Sequence, residues 1–463
     1  MQKRWLKLAA VPVALGLVAA ACGDDDDSDS DSETTEAAAE ESGDDGDDMS
    51  EDESSEGAQD FEGAEVTITG PERSDADLVA IQAALDPFAE ANNINITYSG
   101  DADWEANINT QVEAGNPPNI SFFPQPGKLA DFAREGFIVP ITDDVHSTLD
   151  EFWIEDFQIF GNVDGVQYGV PNKTDLKSLV WYVPDAFEEA GYEVPETLDD
   201  FFALVDEITA AGGPKALCVG IESGQATGWA ATDQTEELVL RELGPDAYDQ
   251  WVSNELPFDS DEIVGVLTQV NDLWSEDNVF ASGGSIAATA FQDNAVPLLD
   301  GDCFMHRQAS FFAGFFPEDT AFADGSAGSV NVFYFPDNDG SGPVLTAGTL
   351  AAAFDEDPAT MAVMEYLSTA EYAETRQAAQ ADFLGGLSGF LSAAQGQDPS
   401  VYADLEQQFL QILLDAQVSR FDASDLMPAD VGAGTFWSEM TSMINGDVTP
   451  EEAAANIQAS WPS

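Results

Sequence analysis

Carboxylates are the most abundant groups in this chain that could do acid–base chemistry, since 89 of its 463 residues are Asp or Glu. Two carboxylates at a suitable separation are what hydrolysis of a glycosidic bond requires. With so many acidic residues, no single pair is informative, and an exported glycosidase stays open as an alternative. The sequence has no GxSxG nucleophile elbow, P-loop, HExxH motif or GxGxxG turn after a strand. Other enzyme chemistry is therefore not indicated.

The first 21 residues have the composition of an export signal that ends at Cys22. Lys3, Arg4 and Lys7 precede a short apolar stretch at 8–20, which is too short to span a bilayer. The pattern resembles a bacterial lipoprotein signal, in which the cysteine is acylated and residues 1–21 are removed. We expect a lipid-anchored protein on the extracellular or periplasmic face. A cleaved secretory signal with an incidental cysteine is the alternative.

Residues 22–63 form the next segment, and after Cys22 they are mainly Asp, Glu, Ser, Gly and Ala. Such a composition buries too little apolar surface to offset the entropy of ordering the chain. It also repels itself and extends. We predict a disordered acidic linker that holds the folded part away from the membrane.

The charge balance restricts the classes of partner. Only 13 Lys and Arg stand against the acidic residues, and the formal net charge is −76. A field of this sign repels nucleic acids and anionic membrane surfaces. We therefore expect no nucleic-acid partner and membrane attachment only through the lipid. We interpret the acidic surface as suited to salty surroundings, where screening relieves self-repulsion.

Two cysteines, Cys218 and Cys303, remain once Cys22 is assigned to the lipid. An oxidising exterior favours a disulfide between them, and two buried free thiols are the alternative. The only histidines, His146 and His306, do not have the spacing of a zinc site. We predict no metal and no cofactor.

About 400 residues follow the linker, which is more than one hydrophobic core usually serves, so two lobes are expected. Strands predicted at 66–69, 94–98 and 120–123 alternate with helices at 77–91 and 104–114. This alternation favours a parallel α/β sheet. Further helices are predicted at 185–190, 198–210, 235–243, 263–274, 359–368, 404–415 and 450–460.

Three segments resemble extracellular solute-binding proteins of carbohydrate ABC transporters, and more narrowly the α-glucoside-binding branch. The first interlobe crossing of that family is similar to GVPNKTDLKSLVWYVPDAFEEAGYEVPETLDDF at 169–201. The strand and turn that line its cleft are similar to NAVPLLDGDCFMHRQASF at 294–311. Its closing helices are similar to GAGTFWSEMTSMINGDVTPEEAAANIQASW at 432–461. The order and spacing of the segments carry the resemblance, which extends from about residue 65 onward.

The resemblance implies an α/β fold of two lobes, of the type II periplasmic-binding kind seen in maltose-binding protein, with an interlobe hinge. A ligand would lie in the cleft, and hinge bending would close it. We place hinge strands at 170–172 and 335–339, with ordinary loop crossings as the alternative. The predicted lobe 1 is 64–171 with about 337–390, and lobe 2 is 172–336 with about 391–463.

Aromatic rings suit the C–H face of a sugar because they offer a broad apolar surface with few rotors to freeze. The resemblance places Trp437, Tyr182 and Trp229 at ligand-binding positions. Trp104 is a fainter candidate, because the family usually has phenylalanine there. Packing in the core is the alternative for each of them.

Polar candidates follow from the same resemblance. The acidic candidates have surface charge as their alternative, and the cations have pairing with a structural carboxylate. A disulfide between Cys218 and Cys303 would also fit the α-glucoside branch, which often carries cysteines at both places. The polar candidates are Asp103, Asp233, Lys177, His306, Arg307 and Gln308.

Taken together, the resemblance implies a monomeric receptor without enzymatic activity. It would capture an α-glucoside or a related oligosaccharide and deliver it to the permease subunits of an ABC importer. The alternatives are another small solute, such as a polyol or a glycosylated osmolyte, and the exported glycosidase. A glycerol phosphodiester is disfavoured by the negative charge.

Overall fold

The computed structural model describes residues 59–323 and 325–462, apart from the side chains at 414 and 415. The predicted signal at 1–21, the lipidated Cys22 and most of the predicted linker lie outside the described residues. The end of the linker is described. The backbone N–H groups of Phe61 and Gly63 donate to the carbonyls of Asn92 and Asn93, and the Phe61 ring packs on the core. The folded part therefore begins several residues ahead of residue 64.

The strands alternate with helices along most of the chain, as the sequence predicts. The strands are β1 Ala64–Gly70, β2 Ile94–Gly100, β3 Ile120–Phe123, β4 Asn162–Val163, β5 Val166–Gln167, β6 Gly169–Leu176, β7 Leu179–Tyr182, β8 Lys215–Cys218, β9 Val279–Phe280, β10 Cys303–Arg307, β11 Asn331–Tyr334, β12 Pro343–Ala353 and β13 Val418–Phe421.

Among the helices of the described ranges, none combines the length and the apolar character that crossing a bilayer requires. The helices are α1 Asp75–Asn92, α2 Trp104–Glu113, α3 Pro126–Glu135, α4 Asp143–Phe152, α5 Glu155–Gln158, α6 Pro184–Ala190, α7 Leu198–Ala211, α8 Trp229–Glu242, α9 Pro245–Val252, α10 Asp261–Leu273, α11 Ala295–Asp300, α12 Pro358–Leu367, α13 Ala370–Leu384, α14 Asp404–Asp415, α15 Ala423–Leu426, α16 Trp437–Ile444 and α17 Pro450–Ser460.

The first sheet has the strand order β13-β12-β3-β1-β2, and β6 also pairs with β12. β1 runs parallel to β2 and β3, whereas β12 is antiparallel to β3 and β6. Every residue of β3 and β12 is buried, as expected for strands that are covered on both faces. Ile81 and Leu85 of α1 pack with Val66 and Ile68 of β1. On another part of this sheet, Leu129 of α3 belongs to a separate core cluster.

The second sheet has the order β11-β7-β10-β8-β9. β8 is parallel to β10 and β9, and β7 is antiparallel to β10 and β11. Val180 and Met305 pack in one large core cluster with residues of α7, α8 and α10. Leu179 and Trp181 belong to a different cluster with Phe312. The predicted α/β class is confirmed. Both clusters also include first-sheet residues, namely Leu345 in the first cluster and Leu176 and Val344 in the second.

The chain passes between the sheets at two points that bear on the predicted hinges. It leaves the first sheet after Leu176 and enters the second at Leu179. It returns between Tyr334 and Pro343. The predicted hinge at 170–172 therefore lies inside β6, just before the first passage, and 335–339 lies within the second. Bending at these points, and the lobe boundaries, remain predictions.

The predicted disulfide is confirmed. Cys218 at the end of β8 is bonded to Cys303 at the start of β10, with the two Cα atoms 5.5 Å apart. The bridge joins residues 85 positions apart in the sequence, and a cross-link of this kind restricts the unfolded chain. It also anchors the strand that leads into His306 and Arg307.

Candidate functional site: a cavity between the sheets

A cavity of about 320 Å³ is lined on one side by residues of the first sheet and the segments that follow its strands, and on the other by loops and helices connected to the second sheet. Its volume is in the range of small-molecule sites in proteins. Two lining residues, Glu72 and Gln125, follow the carboxyl ends of the parallel strands β1 and β3. Open α/β sheets bind ligands at this edge. Ser223 follows β8 of the second sheet in the same way.

Four aromatic residues of the second-sheet side form what we call the aromatic wall: Trp229, Phe291, Phe311 and Phe315. The Trp229 ring centroid lies 5.0 Å from that of Phe291 and 6.1 Å from that of Phe311. Phe291 lies 5.4 Å from Phe315. Trp229 is half-buried, so part of its ring faces the cavity. The wall offers the apolar surface on which a sugar ring can stack.

Trp437 also lines the cavity, at the first residue of α16 and directly after a π-helical turn at Val431–Phe436. Its indole Nε1 donates to Ser424 Oγ at 3.4 Å. The backbone of Gly228, just before α8, approaches so closely that a Cβ there would be 2.2 Å from the Trp437 carbonyl oxygen. Gly228 therefore allows Trp229 and Trp437 to share one cavity.

Lys177 lies at the first passage between the sheets and lines the cavity. Its Nζ is 2.7 Å from Asp233 Oδ1, bonds to Asp422, and lies 5.4 Å from the centroid of the Trp229 ring. Arg307 continues the network to Asp233 at 3.4 Å and to Glu237 at 2.8 Å. The carboxylates come from α8 and from the residue after β13, so the network joins distant parts of the chain.

Burial and the nearby Lys177 ammonium shift the pKa values of Asp233 and Asp422 in opposite directions. Burial raises the pKa of Asp233 to about 7, against the attraction of Lys177. Burial also opposes ionisation of Asp422, but Lys177 and several hydrogen bonds lower its pKa to about 2. Asp233, Glu236 and Asp422 have carboxylate oxygens within 4.8 Å of one another. The Lys177 ammonium and backbone N–H groups already bond to these oxygens, so the cluster is explained as an internal ion-pair network.

His306 lies outside the cavity lining and is 3 % exposed. The Cys218 carbonyl lies 2.8 Å from its Nδ1, and since a carbonyl only accepts, Nδ1–H donates. Its Nε2 has no hydrogen-bond partner among the described residues. Phe312 packs 4.4 Å from the ring. Burial lowers the pKa of His306 to about 4, although the Cys218 carbonyl acts in the opposite direction.

This burial predicts a pH dependence of stability. Between pH 6.5 and 4 the unfolded imidazole binds a proton and the folded one does not, so the free energy of unfolding falls as the pH falls. The free energy of unfolding lost through His306 between pH 7 and pH 4 is on the order of 3 kcal/mol. Urea unfolding of the wild type and of His306→Asn at several pH values should show a steeper pH slope for the wild type. Equal slopes would contradict the assignment.

Several other predicted residues lie outside the lining. Tyr182 packs between Phe187 and Phe333, and Trp104 is buried, with its indole N–H donating to Ser121 Oγ at 2.9 Å. Gln308 is buried, and its side-chain oxygen accepts from the next backbone N–H. Asp103 is exposed, next to the lining residues Ala102 and Glu105. Trp229, Trp437 and Lys177 line the cavity, whereas Asp233 and Arg307 do not. Asp233 bonds to both Lys177 and Arg307.

The structure adds lining residues that sequence reasoning missed. Phe311 and Phe315 belong to the aromatic-rich run SFFAGF at 310–315, which overlaps the end of the segment at 294–311 that resembles a cleft turn. This concentration of phenylalanines next to a cleft motif could have indicated the two lining residues. Gln125 and Gln380 line the opposite side, and nothing in their sequence surroundings distinguishes them from other glutamines.

A fold of two sheets with a cavity lined by residues from the sides of both is typical of ligand-binding receptors. Residues 72–374 match the family of bacterial extracellular solute-binding proteins, and the chain belongs to this family. The resemblance found in the sequence is thereby confirmed at the level of the family.

Two curated relatives extend this result. The α-glucosides-binding periplasmic protein AglE of Rhizobium meliloti is 37% identical over 420 residues, which cover 87% of this chain and 88% of the relative. The osmoprotective compounds-binding protein GgtB of Synechocystis sp. is 35% identical over 394 residues, covering 82% and 89%.

Solved structures show the same fold. The bacterial solute receptor AcbH has a TM-score of 0.71 and 18% identity, covering 86% of this chain and 97% of that one. Maltose-bound MalE3 of T. maritima has a TM-score of 0.63 and 19% identity, covering 86% and 98%. The predicted fold, that of the maltose-binding-protein-like receptors, is confirmed.

Proposed function

We propose that this protein captures a carbohydrate in the cavity between its two sheets and delivers it to the permease of an ABC importer. The observation that carries the proposal is the aromatic wall, which lines the same cavity as carboxylates and amides of the first-sheet side. Flat apolar faces opposite polar groups are the combination that a pyranose needs, because its ring has C–H faces and a rim of hydroxyls.

An α-glucoside is the carbohydrate class we propose first. The 37% identical relative is named for α-glucosides, and the similarity extends over nearly the whole folded chain. The receptor would act as a monomer without catalytic activity of its own. We further propose attachment to the extracellular or periplasmic face of the cell membrane through a lipid on Cys22, with the acidic linker as spacer.

A glycosylated osmolyte or a polyol is the second candidate. It is favoured by the 35% identity to a protein named for osmoprotective compounds. The cavity is compatible with both classes, since a glycosylated polyol also has one sugar ring and further hydroxyls.

A thermal-shift screen of the purified protein tests the proposal. A ligand that binds only the folded state adds about 2.7 kcal/mol of stability at 100 times its Kd. We expect maltose, trehalose, sucrose or another neutral glycoside to raise Tm. A rise with glycosylated polyols alone would favour the second candidate, and no rise with any glycoside or polyol would refute carbohydrate binding. Release of nitrophenol from nitrophenyl α-glucoside would refute the absence of catalysis.

A further inference from the structure

Arg73, on the turn between β1 and α1, lines the cavity and has hydrogen-bond donors that no described residue accepts. Its Nη1 donates to the carbonyl of Pro71 at 3.4 Å. Its Nε and Nη2 have no partner among the described residues. The residue is partly exposed, and neither atom is sealed in the interior. Since a guanidinium has five N–H donors, most of those of Arg73 remain for a ligand.

The positive charge of Arg73 also has no ion-pair partner among the described residues. This is unexpected in a chain with 89 acidic and only 13 basic residues. Two further cations line the cavity, and both are paired. Lys173 Nζ lies 3.2 Å from Asp175, and Lys177 bonds to Asp422. Arg73 therefore differs from both lysines in having a charge that no described carboxylate pairs with.

The nearby acids of the lining have partners of their own. Glu72 Oε2 accepts from the Tyr98 hydroxyl at 3.2 Å, and Glu72 Oε1 lies 3.9 Å from the guanidinium of Arg376. Asp77 accepts from the hydroxyl of Ser74 at 2.6 Å and from its backbone N–H at 3.3 Å. These two carboxylates are therefore used in holding the start of α1 and the end of β1.

Two other lining acids are affected by burial. Burial raises the pKa of Glu105, and of the groups that lower it Arg73 has a smaller effect than Lys128 or Gln125. Burial also raises the pKa of Asp425 well above its usual value. Both shifts favour the uncharged carboxyl. A counter-ion for Arg73 must therefore come from outside the described chain.

A carboxylate is the anion that fits this position. The Nε and Nη2 groups of a guanidinium form a planar fork that matches the two oxygens of a carboxylate. A phosphate dianion also accepts hydrogen bonds, but Glu72 and Asp77 would repel its larger charge more strongly. The net charge of −76 repels any anion at long range. Salt screens that field, whereas a contact pair inside a cavity is screened much less.

We propose that Arg73 is an anion-recognition residue, which makes glycosides that carry a carboxylate bind more tightly than their neutral counterparts. This inference rests on the proposed function and adds a substrate class to it. The sugar ring lies on the aromatic wall, and the carboxylate pairs with Arg73. Neutral glycosides also bind, because the wall alone holds their ring, but they leave the guanidinium without a counter-ion.

Calorimetric titration of the wild type with matched pairs of ligands tests the inference. Maltobionate and maltitol differ only in a carboxylate that replaces a CH₂OH group, and so do glucosylglycerate and glucosylglycerol. The titrations are made in about 0.5 M NaCl, where the long-range field is screened. We expect the carboxylate of at least one pair to bind about tenfold more tightly than its neutral counterpart. Equal or weaker binding of both carboxylates would overturn the inference.

A matched pair of variants localises the effect. Arg73→Gln should abolish the preference for the carboxylate and leave the affinity for the neutral member nearly unchanged, which also shows that the variant is folded. Arg73→Lys keeps the charge without the fork and should retain part of the preference. Arg134 lies outside the lining and pairs with Asp131 and Asp164. Arg134→Gln removes the same charge and should keep the wild-type preference. Equal preferences in Arg73→Gln and Arg134→Gln would refute the role of Arg73.

A third ligand pair separates the two kinds of anion. Trehalose 6-phosphate should gain less over trehalose than the preferred carboxylate gains over its neutral counterpart. A larger gain for the phosphate would overturn the assignment to a carboxylate. If no member of any pair binds the wild type, the proposed function fails together with this inference. If the neutral members bind and the carboxylates bind no more tightly, only this inference fails.

Discussion

Replacing Trp229 by alanine is expected to weaken glycoside binding by about a hundredfold, which corresponds to about 3 kcal/mol. Its ring joins Phe291 and Phe311 at the centre of the aromatic wall and lies beside the Lys177 ammonium. Truncation would remove the stacking surface and open the wall to water. Calorimetry with the tightest-binding sugar of the thermal-shift panel measures the loss.

The control for Trp229 is another half-buried tryptophan. Trp461 follows α17 and packs on the second-sheet core, away from the cavity. Trp461→Ala should lower Tm and leave the affinity within about twofold of the wild type. Trp229→Phe should recover part of the loss, because a smaller ring still stacks. An affinity for Trp229→Ala that equals the wild-type value would show that the ligand does not lie on this wall.

Local patterns were sufficient to predict much of the fold. The strand at 120–123 and the helices at 404–415 and 450–460 have the predicted bounds, because each has an uninterrupted apolar or periodic pattern between clear end signals. Helix α8 begins at Trp229, six residues before the predicted start. Its first turns carry Asp233, which is fully buried. A buried polar face does not produce the apolar periodicity on which helix prediction depends.

The sequence predicts only part of the residues that line the cavity. Trp229 and Trp437 line the cavity, and their positions in the motifs single them out among nine tryptophans. Trp104 and Tyr182 have similar local sequence signals but pack among core side chains. Which side of a ring faces a cavity depends on the crossing of β6, β12 and the segment after β13. Those contacts join residues far apart in the sequence, so no local pattern shows them.

Lys177→Met is expected to cost about 3–5 kcal/mol of folding free energy at pH 7, because removing one member of a buried ion-pair network leaves its partners uncompensated. Asp233 and Asp422 are 0 % and 2 % exposed and both bond to the ammonium. Such a loss is a large share of a typical stability of about 5–15 kcal/mol. Urea unfolding at pH 7 measures it, and a loss below about 1 kcal/mol would contradict the role assigned to the network.

Two comparisons separate this effect from the loss of any lysine. Lys215 is partly exposed, and its Nζ donates to the backbone carbonyls of Glu276 and Asp277. Lys215→Met should therefore cost less than about 1.5 kcal/mol. Lys177→Met combined with Asp422→Asn should be more stable than Lys177→Met alone, since one of the uncompensated charges is removed.

The pH dependence of Lys177→Met gives the sharpest test of the electrostatic cause. In the wild type, Lys177 helps to keep the pKa of Asp422 at about 2, against the effect of burial. Without the ammonium, burial dominates and raises the pKa of this carboxyl above its unfolded value of 3.8. At this carboxyl the folded variant then binds more protons than the unfolded chain, so the contribution of Asp422 to the free energy of unfolding rises as the pH falls toward 4. The stability difference between wild type and variant should shrink over this range, whereas a pure packing defect would leave it constant.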